Sequence, residues 1–130
     1  MKVLMLEDLK GMSDADLRDH IEADYKTTLP KGIKFLIAYE SVGAWGCDSS
    51  SSFLFRLGRK LYEVHGSHCS CYGFEGQWKP EETFVEYLKS DKFHFYAGGY
   101  DTAKAENRSA ILDFVKKVRS SPRPEQEKGE

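Results

Sequence analysis

The sequence predicts an α+β fold, with an antiparallel or mixed sheet of about four strands around a central hairpin, covered by about three helices. Two runs rich in aromatic and aliphatic residues flank the pair Gly58-Arg59, as the two strands of a tight hairpin do. Segments with helical spacing lie before and after this hairpin and are interrupted by further strand-like runs. At 130 residues the chain fits one domain.

The first predicted element is a helix over residues 14–25. Ser13 and Asp16 have the spacing of a capping box, with Asp in place of the usual Glu, and acidic residues in the first turn suit the helix dipole. Leu17 and Ile21 would face the core. His20 falls on the polar side of this helix, where we expect it to be solvated.

A strand over residues 33–40 follows, apolar enough to be central in the sheet. Residues 41–52 are rich in Gly and Ser and are expected to form a loop. If the loops that carry the cysteines have a purely structural role, Gly43, Gly46, Gly66, Gly73 and Gly76 would supply positive φ there.

The hairpin consists of residues 53–57 and 60–64, because Gly58 suits the first position of a type II′ turn. This turn sets a register in which the residues of one face oppose one another in pairs. That face is largely apolar, with Lys60 at its turn end, and contains Phe53, Phe55, Leu57, Tyr62 and Val64. The opposite face is more polar and expected to be half exposed; it contains Leu54, Arg56, Leu61 and Glu63.

Beyond the hairpin we expect a helix over residues 80–89, with Pro80 at its first position and acidic residues in its first turn. A strand over residues 92–97 would place His94 on its exposed side. A last helix over residues 105–120 would bury Ile111, Leu112, Val115 and Val118. The predicted organisation is one globular domain over residues 1–120 and a disordered tail over residues 121–130.

Charge and hydropathy exclude several classes of function. The net charge is −2, and no basic stripe is present, so duplex nucleic acid is an improbable partner. The N-terminus lacks the apolar core of a signal peptide, and no run is long enough to span a membrane. These features predict a cytoplasmic protein without membrane association, in which cysteines are free or metal-bound rather than bridged.

The candidate functional residues lie just outside the predicted hairpin. All three cysteines and two of the four histidines occupy the runs that adjoin its outer ends. Extended outward, the hairpin register places Cys47 opposite Ser70 and therefore between Cys69 and Cys71.

Three interpretations of this cluster remain open. In the first, a tetrahedral ion such as zinc binds there, with Cys47, His65, His68, Cys69 and Cys71 as candidate ligands. A single Cys-x-Cys pair is less specific for zinc than two paired Cys knuckles. No other cofactor is indicated.

In the second interpretation, Cys47 is a catalytic nucleophile, activated by His65 or His68 and oriented by Asp48 or another acid. Cys47 precedes a serine run and a strand rather than a helix, so a helix dipole would not lower the pKa of its thiol. In the third interpretation, the cysteines only pack beneath loops, and aromatic side chains cover them.

Two runs of the chain resemble a family of small bacteriophage proteins: WGCDSSS at residues 45–51 and EVHGSHCSCYGFEGQW at residues 63–78. The resemblance extends over residues 35–84. It assigns no catalytic or binding residue. It implies a setting in which small accessory proteins bind and inhibit a host protein, nucleases of host defence included.

The sequence contains no complete catalytic set, which favours an interaction protein of this phage type over an enzyme. Aromatic residues near the hairpin ends suit the centre of a contact surface with a host protein. The candidates for that surface are Trp45, Tyr72, Phe74 and Trp78. The alternative is a zinc-binding domain or a cysteine-dependent enzyme that uses Cys47 and the run from His65 to Cys71. The oligomeric state is not indicated.

Overall fold

A computed structural model describes residues 3–41, 49–68, 74–88 and 105–118, with only the backbone at residues 7, 68 and 105–108. Its α+β architecture confirms the predicted fold class. Five strands neighbour one another in chain order: β1 (Leu4–Glu7), β2 (Lys34–Ser41), β3 (Ser49–Leu57), β4 (Lys60–His68) and β5 (Glu81–Thr83). The helices of the described residues are α1 (Asp14–Tyr25), α2 (Val85–Leu88) and α3 (Ala105–Lys117). Of these helices, none is long and apolar enough to cross a membrane.

The sheet is mixed because β1 runs parallel to β2 while every other neighbouring pair is antiparallel. Helix α1 begins as predicted: the Ser13 side chain accepts a hydrogen bond from the Asp16 backbone N–H at 3.1 Å. It ends at Lys26, whose left-handed backbone (φ 52°) terminates the helix.

The predicted hairpin register is confirmed, with Phe55 opposite Tyr62 and Phe53 opposite Val64. Gly58 has the positive φ (63°) that the turn requires. The pairing continues outward to Ser49 and His68. The expected loop over residues 41–52 is therefore wrong at its end, since residues 49–52 form part of β3. Pairing with β2 and β4 overrides the low strand propensity of these serines.

Both faces of the sheet are covered. The α1-side cluster contains Leu9, Leu17, Ile21, Tyr25, Leu29, Ile33, Phe35, Ala38, Phe53, Phe55, Val64 and Phe74. The α3-side cluster contains Leu6, Leu36, Ile37, Tyr39, Leu54, Leu61, Val85, Leu88, Ile111, Val115 and Val118. The second hairpin face is partly exposed only at Arg56 and Glu63; the expectation is wrong for Leu54 and Leu61, which are buried because α2 and α3 pack over them.

Two further expectations need correction, and one strand is additional to those predicted. Residues 80–89 do not form one helix: residues 81–83 add β5 to the edge of β4, and α2 is only one turn long. Strand β1 was not expected. Leu112 is 47% exposed, because α3 turns Ile111 and Val115 towards the sheet instead. The predicted strand over residues 92–97, with His94, and the predicted tail over residues 121–130 lie outside the described residues.

Candidate functional site

Buried polar side chains gather at one end of the sheet. The buried polar residues of the described chain are Glu40, Ser49, Ser50, Ser51, Ser52 and Thr83. All but Thr83 lie where β2 ends and β3 begins, and we call Glu40 and residues 49–52 the polar end. Burial of polar groups costs free energy unless they are hydrogen-bonded, so such a concentration marks a candidate functional site.

The polar end adjoins the segments that carry the cysteines. Strand β2 ends before residues 42–48, and β4 ends before residues 69–73. Trp45, Cys47, Asp48, Cys69, Cys71 and Tyr72 lie outside the described residues, as does the side chain of His68.

A chain of three polar side chains lies on the α3 side of the polar end. The strand register places Ser52 opposite His65, and Glu63 lies two residues before His65 on the same face of β4. His65 Nε2 lies 2.9 Å from Glu63 Oε1, and His65 Nδ1 lies 2.9 Å from Ser52 Oγ. Because a carboxylate only accepts, Nε2 donates to Glu63, and in the neutral ring Nδ1 accepts from the Ser52 hydroxyl.

The order serine, histidine, acid is that of a hydrolase triad. Ser52, however, is fully buried at 0% exposure, so its hydroxyl has no access to a substrate. The hydrogen bonds instead hold the His65 ring in place. Both ring nitrogens are engaged, so His65 becomes a metal ligand or a base for Cys47 only if one of these bonds breaks.

An open cleft of about 280 Å³ adjoins this chain and is lined by Glu63, His65, Gly76, Gln77, Lys79 and Glu81. The Gln77 side chain accepts from the Ser67 backbone N–H at 2.9 Å and donates to the Ser67 carbonyl at 2.8 Å. These two bonds fix the segment around Gln77 against the end of β4.

A second polar cluster lies on the opposite, α1 side of the sheet. His20 Nε2 lies 3.0 and 3.1 Å from the two carboxylate oxygens of Glu40, and 3.2 Å from Asp24 Oδ2. The hydrogen bond with Glu40 raises the pKa of His20 above its usual value, although burial acts to lower it. His20 is therefore not the solvated residue that its position on the helix suggests.

Sequence reasoning missed this cluster because Glu40 is twenty positions from His20 and joins it only through the packing of α1 on β2. Two signals were present. His20 and Asp24 have the i, i+4 spacing of helical neighbours. Glu40 places a charge at the end of the buried run 35–40 of β2, where only a specific partner makes burial tolerable.

Aromatic rings pack around Tyr25 on the α1 side of the sheet. Tyr25 stacks on Phe74 at a centroid distance of 5.0 Å and meets Trp78 edge-on at 5.2 Å. Burial raises the pKa of the Tyr25 phenol, whose hydroxyl shares a hydrogen bond with Ser51 Oγ. Phe74, expected at a contact surface, is only 3% exposed and belongs to the core. Trp78 is half-buried, because its ring stacks on Phe55 at 5.8 Å.

Large exposed aromatic side chains lie elsewhere, beside the edge strand β5. Phe84 is 58% exposed and Tyr87 is 41% exposed. The Leu88 backbone N–H donates to the Phe84 carbonyl at 3.0 Å, so both aromatic residues lie on one helical turn, three positions apart. Residues with this spacing are neighbours on a helix surface. We call this pair the aromatic edge.

Comparison with known proteins gives no match: no family model, no curated protein and no solved structure is significantly similar to the chain. We therefore infer function from the geometry of the described residues.

Proposed function

We propose that the protein is a small interaction protein of phage type that binds a host protein and modulates or inhibits it. The aromatic edge, Phe84 and Tyr87, is the centre of the proposed contact surface. The observation that carries this proposal is the exposure of these two large rings on one turn of the chain. Exposed aromatic side chains are enriched at the centres of protein interfaces, where their burial supplies most of the binding free energy.

The surroundings of the aromatic edge indicate the kind of partner. Glu81, Glu82 and Glu86 are exposed on the same short segment, and although Lys60 Nζ lies 3.7 Å from Glu82 Oε1, acids outnumber bases around the aromatic pair there. An acidic border favours a partner with a basic border around an apolar pocket. Proteins that bind nucleic acid have such basic surfaces, so a nuclease of host defence is a partner class that fits.

Loss of the two rings is expected to abolish partner capture without unfolding the protein. We expect the tagged wild-type chain to retain a stoichiometric partner from host lysate, and Phe84→Ser and Tyr87→Ser each to weaken binding at least tenfold, as loss of an interface hot spot does. Binding is measured by interferometry with the purified partner. Both variants should keep a thermal unfolding midpoint close to that of the wild type, because Phe84 is 58% exposed and Tyr87 is 41% exposed.

Leu112→Ser is the matched control, since Leu112 is the third exposed large apolar residue of the described chain and lies on α3. It should bind the partner as the wild type does. If the double variant at Phe84 and Tyr87 retains full affinity, the contact surface lies elsewhere.

The alternative function is a zinc-binding domain or a cysteine-dependent enzyme at the outer end of the hairpin. The observation that favours it is the pairing of Ser49 with His68, because Cys47 precedes one partner by two positions and Cys69 follows the other directly. Since His65 is engaged at both ring nitrogens, the proposed ligands are Cys47, His68, Cys69 and Cys71.

Elemental analysis of protein purified without chelator tests the zinc alternative. It predicts one equivalent of zinc in the wild type that is lost in Cys69→Ser, with His65→Gln as the control that retains this equivalent. A protein that contains no zinc but whose Cys47 reacts with iodoacetamide at about pH 6 faster than the other thiols would support the nucleophile instead. Slow and equal labelling of all three cysteines in zinc-free protein would indicate that the cysteines only pack in the structure.

A further inference from the structure

We propose that His20, Asp24 and Glu40 form a binding site for a divalent transition-metal ion, with zinc and manganese as the ions that its ligands suit. The site lies on the α1 side of the polar end. It is separate from the aromatic edge and shares no residue with the proposed cysteine ligands.

The three side chains are already close enough to share an ion. One imidazole nitrogen and one oxygen from each carboxylate all lie within 4.8 Å of one another. The His20 nitrogen is 3.0 Å from Glu40 Oε1 and 3.2 Å from Asp24 Oδ2. Ligand atoms around a tetrahedral ion with bonds of about 2.0–2.1 Å are separated by about 3.3 Å. Small movements of the three side chains therefore suffice to place an ion between the His20 nitrogen and the carboxylate oxygens that now surround it.

The charge balance of the cluster also favours a bound cation. The Glu40 side chain is only 8% exposed, yet both its oxygens approach the same His20 nitrogen, which has a single proton to donate. Asp24 approaches that nitrogen as well. Within the described structure, neither carboxylate has another hydrogen bond or ion pair.

The cluster contains two acids and a single basic ring, so its carboxylates outnumber the positive charge that His20 can supply, even when the ring is protonated. Buried charge is unfavourable unless it is paired or coordinates a metal. A divalent ion bound to two carboxylates and a neutral imidazole makes the cluster neutral. It also occupies acceptor positions on the Glu40 oxygens that one N–H leaves unfilled.

The donor set distinguishes between classes of ion. Calcium requires six or more oxygen ligands and magnesium keeps most of its water, whereas imidazole suits zinc, iron and copper. Carboxylate and water ligands suit manganese, and the cluster supplies two carboxylates. Three protein ligands leave coordination positions open to water or a substrate, as in catalytic rather than structural metal sites.

The elements that present the ligands are well anchored. His20 and Asp24 lie one turn apart on α1, which packs on the sheet through Leu17, Ile21 and Tyr25. Glu40 pairs with Ser51 in the sheet, and its carbonyl accepts from the Asp8 backbone N–H at 3.0 Å. A site presented by a helix and a strand changes little when an ion binds.

Titration of the full-length protein with manganese tests the proposal, with free Mn²⁺ followed by electron paramagnetic resonance. Manganese is the chosen probe because thiolate ligands do not select it, so the cysteines do not compete. The wild type should bind one equivalent. Asp24→Asn and Glu40→Gln should each weaken binding at least tenfold, because each removes a ligand charge and keeps the side-chain shape.

Asp19→Asn is the matched control, since Asp19 is an exposed acid on the same helix. It should bind manganese as the wild type does, and so should Cys69→Ser and Phe84→Ser. If Glu40→Gln does not fold, manganese binding by Asp24→Asn tests the proposal, because Asp24 is the more exposed carboxylate. Absence of manganese binding in the wild type, or equal binding in Asp19→Asn and Asp24→Asn, overturns the proposal and leaves the cluster a hydrogen-bonded structural feature.

Discussion

Leu54→Ala is expected to lower the free energy of unfolding by about 2–5 kcal/mol, the range for truncation of a buried leucine. Leu54 has 0% exposure and packs in the α3-side cluster between the sheet and its covering helices. Truncation leaves a cavity that the rigid sheet around it fills only in part. Chemical denaturation measures the effect, as a lower midpoint with an unchanged slope.

Leu112→Ala is the matched control because the same side chain is removed from a position that is 47% exposed. Its effect should stay within about 0.5 kcal/mol. The sequence pattern alone predicts the opposite ranking, with Leu112 in the core and Leu54 half exposed. A larger loss for Leu112→Ala than for Leu54→Ala would show that the α3 side of the sheet is packed differently.

This reversal shows which information the sequence lacked. Strand alternation correctly separated the two faces of the hairpin. The charges of Arg56 and Glu63, however, led to the prediction that the second face is half exposed. Whether a helix covers that face depends on tertiary packing, which alternation does not report. On α3, four apolar residues form a stripe that is wider than the surface in contact with the sheet. Of these four, Ile111, Val115 and Val118 pack in the α3-side cluster.

Gly66→Ala is expected to lower the free energy of unfolding by about 1–3 kcal/mol, as overpacking of a filled core does. A Cβ atom at Gly66 would lie 2.6 Å from the Tyr25 hydroxyl oxygen and 3.0 Å from Phe74 Cδ1. Neither ring moves easily, because Tyr25 stacks on Phe74 and hydrogen-bonds to Ser51.

The substitution Tyr25→Phe removes the closest of these atoms and should therefore reduce the cost of Gly66→Ala. We expect a coupling of about 0.5–3 kcal/mol in a double-mutant cycle. The relief is partial since Phe74 remains close. Ser67→Ala, the exposed neighbour on β4, is the control and should show no coupling to Tyr25→Phe. Strictly additive effects of Gly66→Ala and Tyr25→Phe would exclude the close approach as the reason for glycine at this position.

Gly66 also shows why the candidate site was only partly predictable. The sequence suggested positive φ at Gly66 and Gly76, and only Gly76 has it, at 81°. Gly66 lies in β4, and the need for glycine there comes from a ring contributed by α1. No local pattern reports such a contact.

Elements with strong local signals were predicted well. The capping residue Ser13 and the Gly58-Arg59 turn set α1 and the hairpin register almost to the residue. Strands β1 and β5 have four and three residues, and each is defined by the strand it pairs with rather than by its own composition. The polar end was indicated only indirectly, through the crowding of cysteines and histidines in the adjoining runs.

The most direct test of the proposed function is hydrogen–deuterium exchange of the full-length protein with and without its captured host partner. The proposal predicts that the partner slows exchange in peptides that cover residues 81–88, around Phe84 and Tyr87, and leaves the α1 peptides unchanged. Protection confined to α1, with residues 81–88 exchanging as in the free protein, would contradict it.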